Sequence, residues 1–235
     1  MHIQRGAWAE INLDAIAHNV QTAKANLKPT TKLCAVVKAD AYGHGAVRVA
    51  QEAARNGADF FAVALLQEGV KLRDAGIDQP ILVLGSLLPE VAEICVRYDI
   101  SHAVFDEDRL YALNEAALKL HKKAKIHIKI DTGMHRIGVH VRDAGKFAKL
   151  AASLPGIYVE GAFSHFATAD ADDKQYAAYQ FARFQEALRL IEAEGIHIPI
   201  RHIANSAALT ELQEYQLDMV RQGITLYGLH LSLIH

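Results

Sequence analysis

The sequence predicts an α/β fold, a (β/α)8 TIM-type barrel with one additional helix before the first strand. Short apolar segments rich in β-branched residues alternate with segments that carry apolar residues at three- and four-residue spacing. The first pattern indicates buried strands, and the second indicates amphipathic helices. Because the connections are short, we expect parallel strands with right-handed crossovers. Eight such units suit a closed barrel, and a doubly wound open sheet is the structural alternative.

The predicted elements follow one another without a linker or a low-complexity segment. A helix over 13–27, with Asn12 as its N-cap, precedes the first strand, and we expect it to cover the seam between strands eight and one. Gly57, Gly76 and Gly195 fall where helices should end, at the left-handed position after the C-cap. The predicted strands are 32–38, 60–65, 80–85, 102–105, 125–131, 159–166, 200–205 and 219–226, and the helices between them are 45–56, 67–75, 89–97, 106–121, 142–153, 173–194 and 206–213.

The composition bounds the class of protein. With 235 residues, 51% of them hydrophobic, the chain can bury a substantial core in one large domain or two small ones. The formal net charge of −2 does not suggest binding to nucleic acid or to an anionic membrane. No apolar segment approaches the ~18 residues of a membrane span and no signal-peptide pattern is present, so we interpret the protein as cytoplasmic. Cys34 and Cys95 lie among apolar neighbours, which favours buried free thiols over a disulfide.

The segment 35–45, Ala-Val-Val-Lys-Ala-Asp-Ala-Tyr-Gly-His-Gly, carries the strongest chemical signal. Lys38 stands at the end of an apolar run, and a turn bounded by Gly43 and Gly45 follows it. Desolvation of a lysine is costly, so the pKa of its amine falls easily and the amine becomes a nucleophile toward carbonyl groups. The alternative interpretation is a strand-end lysine whose ammonium group reaches water.

Several other candidate residues fall at the ends of predicted strands. In barrels of this kind, active sites lie at the carboxyl ends of the strands. The guanidinium group of an arginine offers rigid hydrogen-bond donors and keeps its charge, which makes the two arginines strong candidates. The Asn-Ser pair is a weaker signal, because such pairs are common in turns. The residues at or just past predicted strand ends are Lys38, Leu84, Arg136, His165, Asn205, Ser206 and Arg221.

The sequence lacks the common motifs of metal sites and of nucleotide-binding sites. Thirteen histidines raise the question of a metal site, but no H-E-x-x-H or comparable ligand spacing occurs, so we predict no metal ligands. No G-x-G-x-x-G follows a strand, and no P-loop is present. Dinucleotide and nucleoside-triphosphate chemistry are therefore unsupported.

Three segments resemble motifs of the alanine racemase family. They are 35–45, the stretch Lys-Ile-Asp-Thr-Gly-Met-His-Arg-Ile-Gly at 129–138, and 219–224. The resemblance extends from about Ala7 to Tyr227, so we expect residues 1–235 to form that family's barrel domain, which binds pyridoxal 5'-phosphate (PLP). It implies a PLP-dependent interconversion of L-alanine and D-alanine that supplies D-alanine for peptidoglycan. A related serine or broad-specificity racemase is an alternative.

The resemblance implies individual roles for four basic side chains. Lys38 would hold the aldehyde of PLP and move the α-proton on one face of the substrate, and Arg136 would donate a hydrogen bond to the phenolic oxygen of PLP. Lys129 matches a lysine that is carbamylated in many relatives, with an ordinary strand lysine as the alternative. Arg221 would face the pyridine nitrogen. Because arginine is donor-only and stays charged, that nitrogen would stay unprotonated, which suits racemisation over transamination.

The remaining matches concern the ring and the phosphate of PLP. His165 would stack on the pyridine face and hydrogen-bond to Arg221, and Leu84 would pack against the ring. Glycine permits close backbone approach, and convergent amide groups suit an anion. The residues expected at the phosphate are Ser206, the backbone of Gly223 and Ile224, and Tyr42, with Asn205 beside them.

The sequence departs from the family pattern after Tyr227. Family members continue with a second, mainly β domain, which carries a catalytic tyrosine that reaches across a homodimer to the opposite face of the substrate. No residue of this sequence matches that tyrosine, so we expect little activity from residues 1–235 alone. The alternative from another class is a single-domain, non-catalytic PLP-binding protein of vitamin B6 homeostasis. The chain length favours that alternative, whereas the motifs do not.

Overall fold

The computed structural model describes residues 8–229 and shows the predicted barrel. Eight parallel strands enclose an interior, and helices cover their outer side, which confirms the (β/α)8 prediction. A ninth strand of two residues, β6, was not predicted, and it pairs only with β5. The strands are β1 (Lys32–Val36), β2 (Phe60–Val63), β3 (Ile81–Val83), β4 (Ser101–Val104), β5 (Ala124–Asp131), β6 (Val139–His140), β7 (Ile157–Phe163), β8 (Ile200–His202) and β9 (Met219–Gln222).

The strands follow one another around the barrel in chain order, apart from β6. Parallel ladders join β1 to β5 in sequence, then β5 to β7 and β7 to β8, while β9 pairs back onto β1 with Cys34 opposite Arg221. Two backbone hydrogen bonds close the barrel between β8, β9 and the residues that flank them, from Asp218 N to Arg201 O at 3.1 Å and from Arg221 N to Ala204 O at 3.1 Å. Because all these strands are parallel, their carboxyl ends meet on one face of the barrel.

The predicted helices are present, and one further helical turn, α2 (Lys38–Tyr42), was not predicted. Asn12 accepts a hydrogen bond from the backbone N–H of Ala15 at 3.1 Å, which confirms it as the N-cap of α1. Gly57, Gly76 and Gly195 have φ angles between +77° and +104°, as expected after helix ends. The helical segments, of which α2 is a single turn, are α1 (Leu13–Ala25), α2 (Lys38–Tyr42), α3 (Ala46–Arg55), α4 (Leu66–Asp74), α5 (Ala92–Arg97), α6 (Glu107–Lys119), α7 (Ala144–Ser153), α8 (Gln175–Ala193) and α9 (Ser206–Glu211).

Helix α1 covers the seam of the barrel, as predicted. It contacts β1 on one side and the 3₁₀ turn Ile224–Tyr227, which follows β9, on the other. Asn19 binds the β9 side of the seam, because its side-chain amide donates to Leu226 O at 3.0 Å and its backbone carbonyl accepts from the Gln222 side chain at 3.2 Å. Ile16 and Val20 face inward and are buried.

The apolar residues form two buried clusters. The larger lies between strands and helices, and a smaller one fills part of the barrel interior, including Phe60, Leu82 and Met219. Cys34 and Cys95 are buried free thiols, in agreement with the prediction. Within residues 8–229, no helix has both the length and the apolar character needed to cross a membrane.

Several strands end earlier than the sequence predicted. β1 ends at Val36, β8 at His202 and β9 at Gln222, although the apolar pattern continues past each of them. β7 ends at Phe163, although its predicted strand runs to residue 166. The candidate residues at the predicted strand tips therefore lie mostly in the first residues of the connecting loops.

Candidate functional site

A cavity of about 520 Å³ opens at the carboxyl face of the barrel. All eleven residues named from the sequence line this one cavity, although they come from six different parts of the chain. Residues that were not named from the sequence, such as Phe163, Gly85 and Ile137, complete its wall. The eleven residues are Lys38, Tyr42, Leu84, Lys129, Arg136, His165, Asn205, Ser206, Arg221, Gly223 and Ile224.

The segment after Lys38 forms a left-handed helical turn. Ala39, Asp40, Ala41 and Tyr42 all have φ between +51° and +57°, so four consecutive non-glycine residues are left-handed. This conformation costs about 1–2 kcal/mol for each L-residue. The sequence indicated a turn bounded by glycines but gave no signal for this handedness. The turn brings Lys38 and Tyr42 to the same cavity, with Lys38 Nζ 5.8 Å from the centre of the Tyr42 ring.

Two carboxylates hold the left-handed turn in place. Glu68 accepts backbone hydrogen bonds from Ala39 at 2.6 Å and from Ala64 and Leu65 at 2.8 and 3.0 Å. Asp40 accepts from the N–H of Ala46 at 3.0 Å, at the start of α3. Such charge-assisted bonds offset the backbone strain, so the position of Lys38 is set by the surrounding structure.

Lys38 is a half-buried amine near other cations. Burial lowers the pKa of Lys38, the Arg136 charge lowers it further, and Glu68 opposes both effects. A lowered pKa increases the fraction of neutral, nucleophilic amine near neutral pH. The site can therefore support addition of an amine to a carbonyl group.

Arg221 is a buried residue in the cavity wall, and it is bound to four different groups. Its Nη1 donates to His202 Nδ1 at 2.6 Å, and its Nη2 donates to the carbonyl oxygens of Ser164 and Ile203 at 2.8 and 3.0 Å. Nη2 also lies 3.2 Å from His165 Nδ1. Burial lowers the pKa of Arg221 to about 10, so the guanidinium group stays charged at neutral pH.

A hydroxyl-rich corner forms where β9 ends. Gly223 N donates to Ser206 Oγ at 2.8 Å. A Cβ atom built on Gly223 would lie 3.5 Å from both Ser206 Oγ and Tyr42 Oη, so the two hydroxyls meet beside this glycine. Asn205 lies next to them and caps α9 through a hydrogen bond from Ala208 N at 3.1 Å. Two hydroxyls in one corner provide donors suited to an anion, and the Gly223 amide orients one of them.

The cavity is lined by basic side chains. Lys38, Lys129, Arg136 and Arg221 line it, and its wall of described residues contains neither aspartate nor glutamate. Burial, followed by the Arg221 charge, lowers the pKa of Lys129 to about 7. Arg136 is exposed in the loop after β5, where it can reach a ligand in the cavity. This charge distribution suits a ligand with several negative groups.

The pattern of the family described as "Alanine racemase, N-terminal domain" matches residues 11–231 of the chain. The chain belongs to the alanine racemase family. It is 47% identical over 225 residues to the alanine racemase of Desulfovibrio desulfuricans and 45% identical over 227 residues to that of Halothermothrix orenii. These alignments cover 96% and 97% of this chain but 61% and 60% of the relatives. The chain therefore spans about three fifths of the curated relatives it matches.

Solved structures of the family share this architecture. The alanine racemase of Clostridium difficile 630 superposes with a TM-score of 0.95 at 39% identity, over 99% of this chain and 61% of that one. The Bacillus anthracis enzyme, solved with bound L-Ala-P, gives a TM-score of 0.93 at 36% identity, over 99% and 60% of the two chains. The family membership agrees with the resemblance read from the motifs, and it does not favour the single-domain PLP-binding alternative.

Sequence reasoning missed the polar residues beneath the cavity. His127 and His202 are fully buried in the barrel interior, and Glu160 lies beside His127. Phe163 stacks on the His202 ring with centroids 4.9 Å apart and an interplanar angle of 5°. Strand alternation could have found both histidines, because His127 and Lys129 share one face of β5 and His202 lies two residues after the inward-facing Ile200.

Proposed function

We propose that residues 1–235 form the barrel domain of a PLP-dependent racemase that interconverts L-alanine and D-alanine. The observation that carries this proposal is the single cavity that collects all eleven candidate residues. A nucleophilic amine, a buried arginine and a hydroxyl-rich corner occupy different walls of it. Each corresponds to a different part of the proposed cofactor.

The donor set of the cavity fits PLP. Ser206, Tyr42 and the Gly223–Ile224 backbone would hold the phosphate, with Asn205 fixing the adjacent turn. Leu84 and His165 supply an apolar and an aromatic surface for the ring. When bound, PLP would supply the electron-withdrawing group that acidifies the α-proton of the amino acid.

Lys38 would act as both anchor and base. Its lowered pKa increases the neutral fraction of the amine, which would hold the aldehyde carbon of PLP and, when free, would accept the α-proton on one face. Tyr42 lies beside the amine, so the left-handed turn would keep the base and one phosphate ligand in fixed relation.

Arg221 and Arg136 would direct the reaction by donating hydrogen bonds. Arg221 would donate to the pyridine nitrogen without protonating it, which limits electron withdrawal and suits racemisation over transamination. Arg136 would donate to the phenolic oxygen and attract the substrate carboxylate. We propose that Lys129 is carbamylated and orients Arg136, because its lowered pKa provides the neutral amine that adds CO2.

Racemisation needs an acid–base group on each face of the α-carbon. Lys38 would serve one face, and we propose that the other face is served across a homodimer by a tyrosine of the second domain that the resemblance to longer family members implies. A protein lacking that group would exchange the α-proton of alanine but would form D-alanine weakly, because one positioned acid–base group contributes ~10²–10⁴-fold.

The experiment locates the cofactor bond and follows the α-proton separately. The protein is loaded with PLP, reduced with borohydride and mapped by peptide mass spectrometry, and exchange from L-alanine in heavy water is followed by NMR. We expect the pyridoxyl group on Lys38, with exchange lost in Lys38→Met and retained in the exposed control Lys146→Met. An adduct on another residue, or PLP binding without α-proton exchange, would contradict the proposal.

We further propose that the protein acts in the cytoplasm and provides D-alanine for peptidoglycan. The corresponding test is growth of a bacterium that requires external D-alanine after expression of this chain. Expression of the chain joined to a second domain from a relative provides the comparison. Growth in neither case would contradict the proposed role, whereas growth only with the second domain would support the need for an opposite-face group.

A further inference from the structure

A polar layer crosses the barrel interior directly beneath the cavity. Arg221 Nη1 contacts His202 Nδ1 at 2.6 Å, His202 Nε2 lies 2.9 Å from His127 Nδ1, and His127 Nε2 lies 3.0 Å from Glu160 Oε2. Ser101 Oγ donates to the same carboxylate oxygen at 2.5 Å. Barrel interiors are usually filled by bulky apolar side chains, so this layer needs a reason. We call His127 and His202 the histidine bridge, because they connect Glu160 to Arg221.

The arginine end determines the direction of every hydrogen bond in the bridge. Arg221 can only donate, so His202 Nδ1 must accept and His202 carries its single proton on Nε2. That Nε2–H donates to His127 Nδ1, which must therefore accept. The remaining proton of His127 is then on Nε2, and it donates to Glu160. One pattern of protons satisfies both nitrogens of both rings.

The carboxylate end requires the same pattern. An ionised glutamate can only accept, and Glu160 receives hydrogen bonds from His127 and Ser101. Although burial opposes ionisation, these two hydrogen bonds hold the pKa of Glu160 below its ordinary value. A protonated His127 would donate to His202 and force a proton onto His202 Nδ1, opposite a guanidinium N–H at 2.6 Å. The bridge is therefore neutral, and the opposite charges reside on its two ends.

The backbone is adapted to this bridge. Ile126 pairs with Val159 and His127 pairs with Gly161, so Glu160 is the extra residue of a β-bulge in β7. Bulges redirect side chains and are frequent beside active sites. A Cβ on Gly161 would lie 2.4 Å from His127 Nδ1, so only glycine leaves space for the ring. Two local features of one strand thus serve the same contact.

We propose that Glu160, His127 and His202 are positioning residues that fix the guanidinium plane of Arg221 through one directed series of hydrogen bonds. The proposal deepens the proposed function and rests on it where Arg221 faces a cofactor ring. Glu160 offsets the buried charge of Arg221 across two neutral imidazoles. Arg221 Nη1 is thereby committed to His202, so the other donors of the guanidinium group keep a fixed direction.

The first test uses the protein without cofactor, so it does not depend on the proposed function. Long-range ¹H–¹⁵N NMR reports the tautomer of each histidine, with His127→Asn and His202→Asn serving to assign the two rings. We expect each ring to carry its proton on Nε2, as the hydrogen-bond geometry requires. A proton on Nδ1 of either ring would overturn the proposal.

The second test removes the charge at the far end of the bridge. Glu160→Gln is compared with Glu115→Gln, the same change on the exposed face of α6. We expect solvent exchange of the Arg221 guanidinium protons, measured by NMR, to accelerate about tenfold or more in Glu160→Gln and to stay unchanged in the control. Equal exchange rates in wild type and Glu160→Gln would reject the positioning role.

A milder variant covers the case in which Glu160→Gln does not fold. Ser101→Ala removes one of the two donors to Glu160 and leaves the charge in place. We expect a smaller acceleration of Arg221 exchange with both tautomers retained.

A third test measures the affinity for PLP by equilibrium dialysis, and we expect this affinity to fall about tenfold in Glu160→Gln. If wild type binds no PLP, the proposed function fails while the NMR result still decides the bridge. If it binds and Glu160→Gln matches the control, the positioning role fails alone.

Discussion

One side of the barrel interior is lined by apolar side chains, and the other side is lined by polar ones. Near β1 to β3 the interior is apolar, with Cys34, Phe60 and Leu82 fully or almost fully buried. Near β4, β5, β7 and β8 it holds Ser101, Glu160 and the histidine bridge, and each of these groups has a hydrogen-bond partner. The apolar side contributes free energy by removing surface from water. The polar side contributes little net stability, but it tolerates few arrangements, because any unpaired buried group would be costly.

The apolar side should show the largest effect on stability and none on the bridge. Leu82 is completely buried, so Leu82→Ala should lower the free energy of unfolding by about 3 kcal/mol through lost burial and a residual cavity. Chemical denaturation measures this change, and Leu82→Met, which keeps the volume, is the matched control at less than about 1.5 kcal/mol. The histidine tautomers should be the same in all three proteins. A change of tautomer in Leu82→Ala would mean that the two sides are not independent.

The polar side should respond to crowding by changing its hydrogen bonds. Gly161→Ala places a Cβ 2.4 Å from His127 Nδ1 and 2.7 Å from Ile200 O, so the ring or the strand must move. We expect a loss of about 2 kcal/mol, typical of overpacking, together with altered NMR signals of both bridge histidines. Gly195→Ala is the control, since its Cβ meets nothing within 4 Å and adds only backbone strain. Unchanged histidine signals in Gly161→Ala would contradict the close packing inferred here.

The strands, the helices and the face that carries the cavity could be predicted from the sequence, but the left-handed turn could not. Periodic apolar residues predicted the strands and helices, and the ends of parallel strands predicted that Lys38, His165 and Arg221 would lie on one face. The left-handed turn at Ala39 to Tyr42 could not be predicted, because alanine has no preference for that conformation and the contacts with Glu68 are remote in sequence. Local handedness here is imposed by tertiary contacts.

The polar side of the interior was harder to predict than the cavity above it. A histidine in a strand carries no signal of its partner, and the contact between His127 and His202 joins residues 75 positions apart. The bulge at Glu160 shifts the register by one residue, which strict alternation cannot anticipate. Gly161 beside it was the one local hint, since glycine in a strand often marks a bulge or a close approach.

The effect that accumulates gradually with pH concerns Lys129, at the upper edge of the polar side. Burial lowers its pKa from the ordinary 10.5 to about 7, so between these values the unfolded chain binds a proton that the native protein does not. The free energy of unfolding should therefore rise with pH from about 7 to about 10, by at most about 1.4 kcal/mol per pH unit from this group. Lys129→Met should remove that rise, whereas the exposed Lys146→Met should keep it, in denaturation curves recorded in buffers free of CO2. An equal slope in Lys129→Met and wild type would show that Lys129 is charged in the native interior, and the polar side would then bury a second cation beside Arg221.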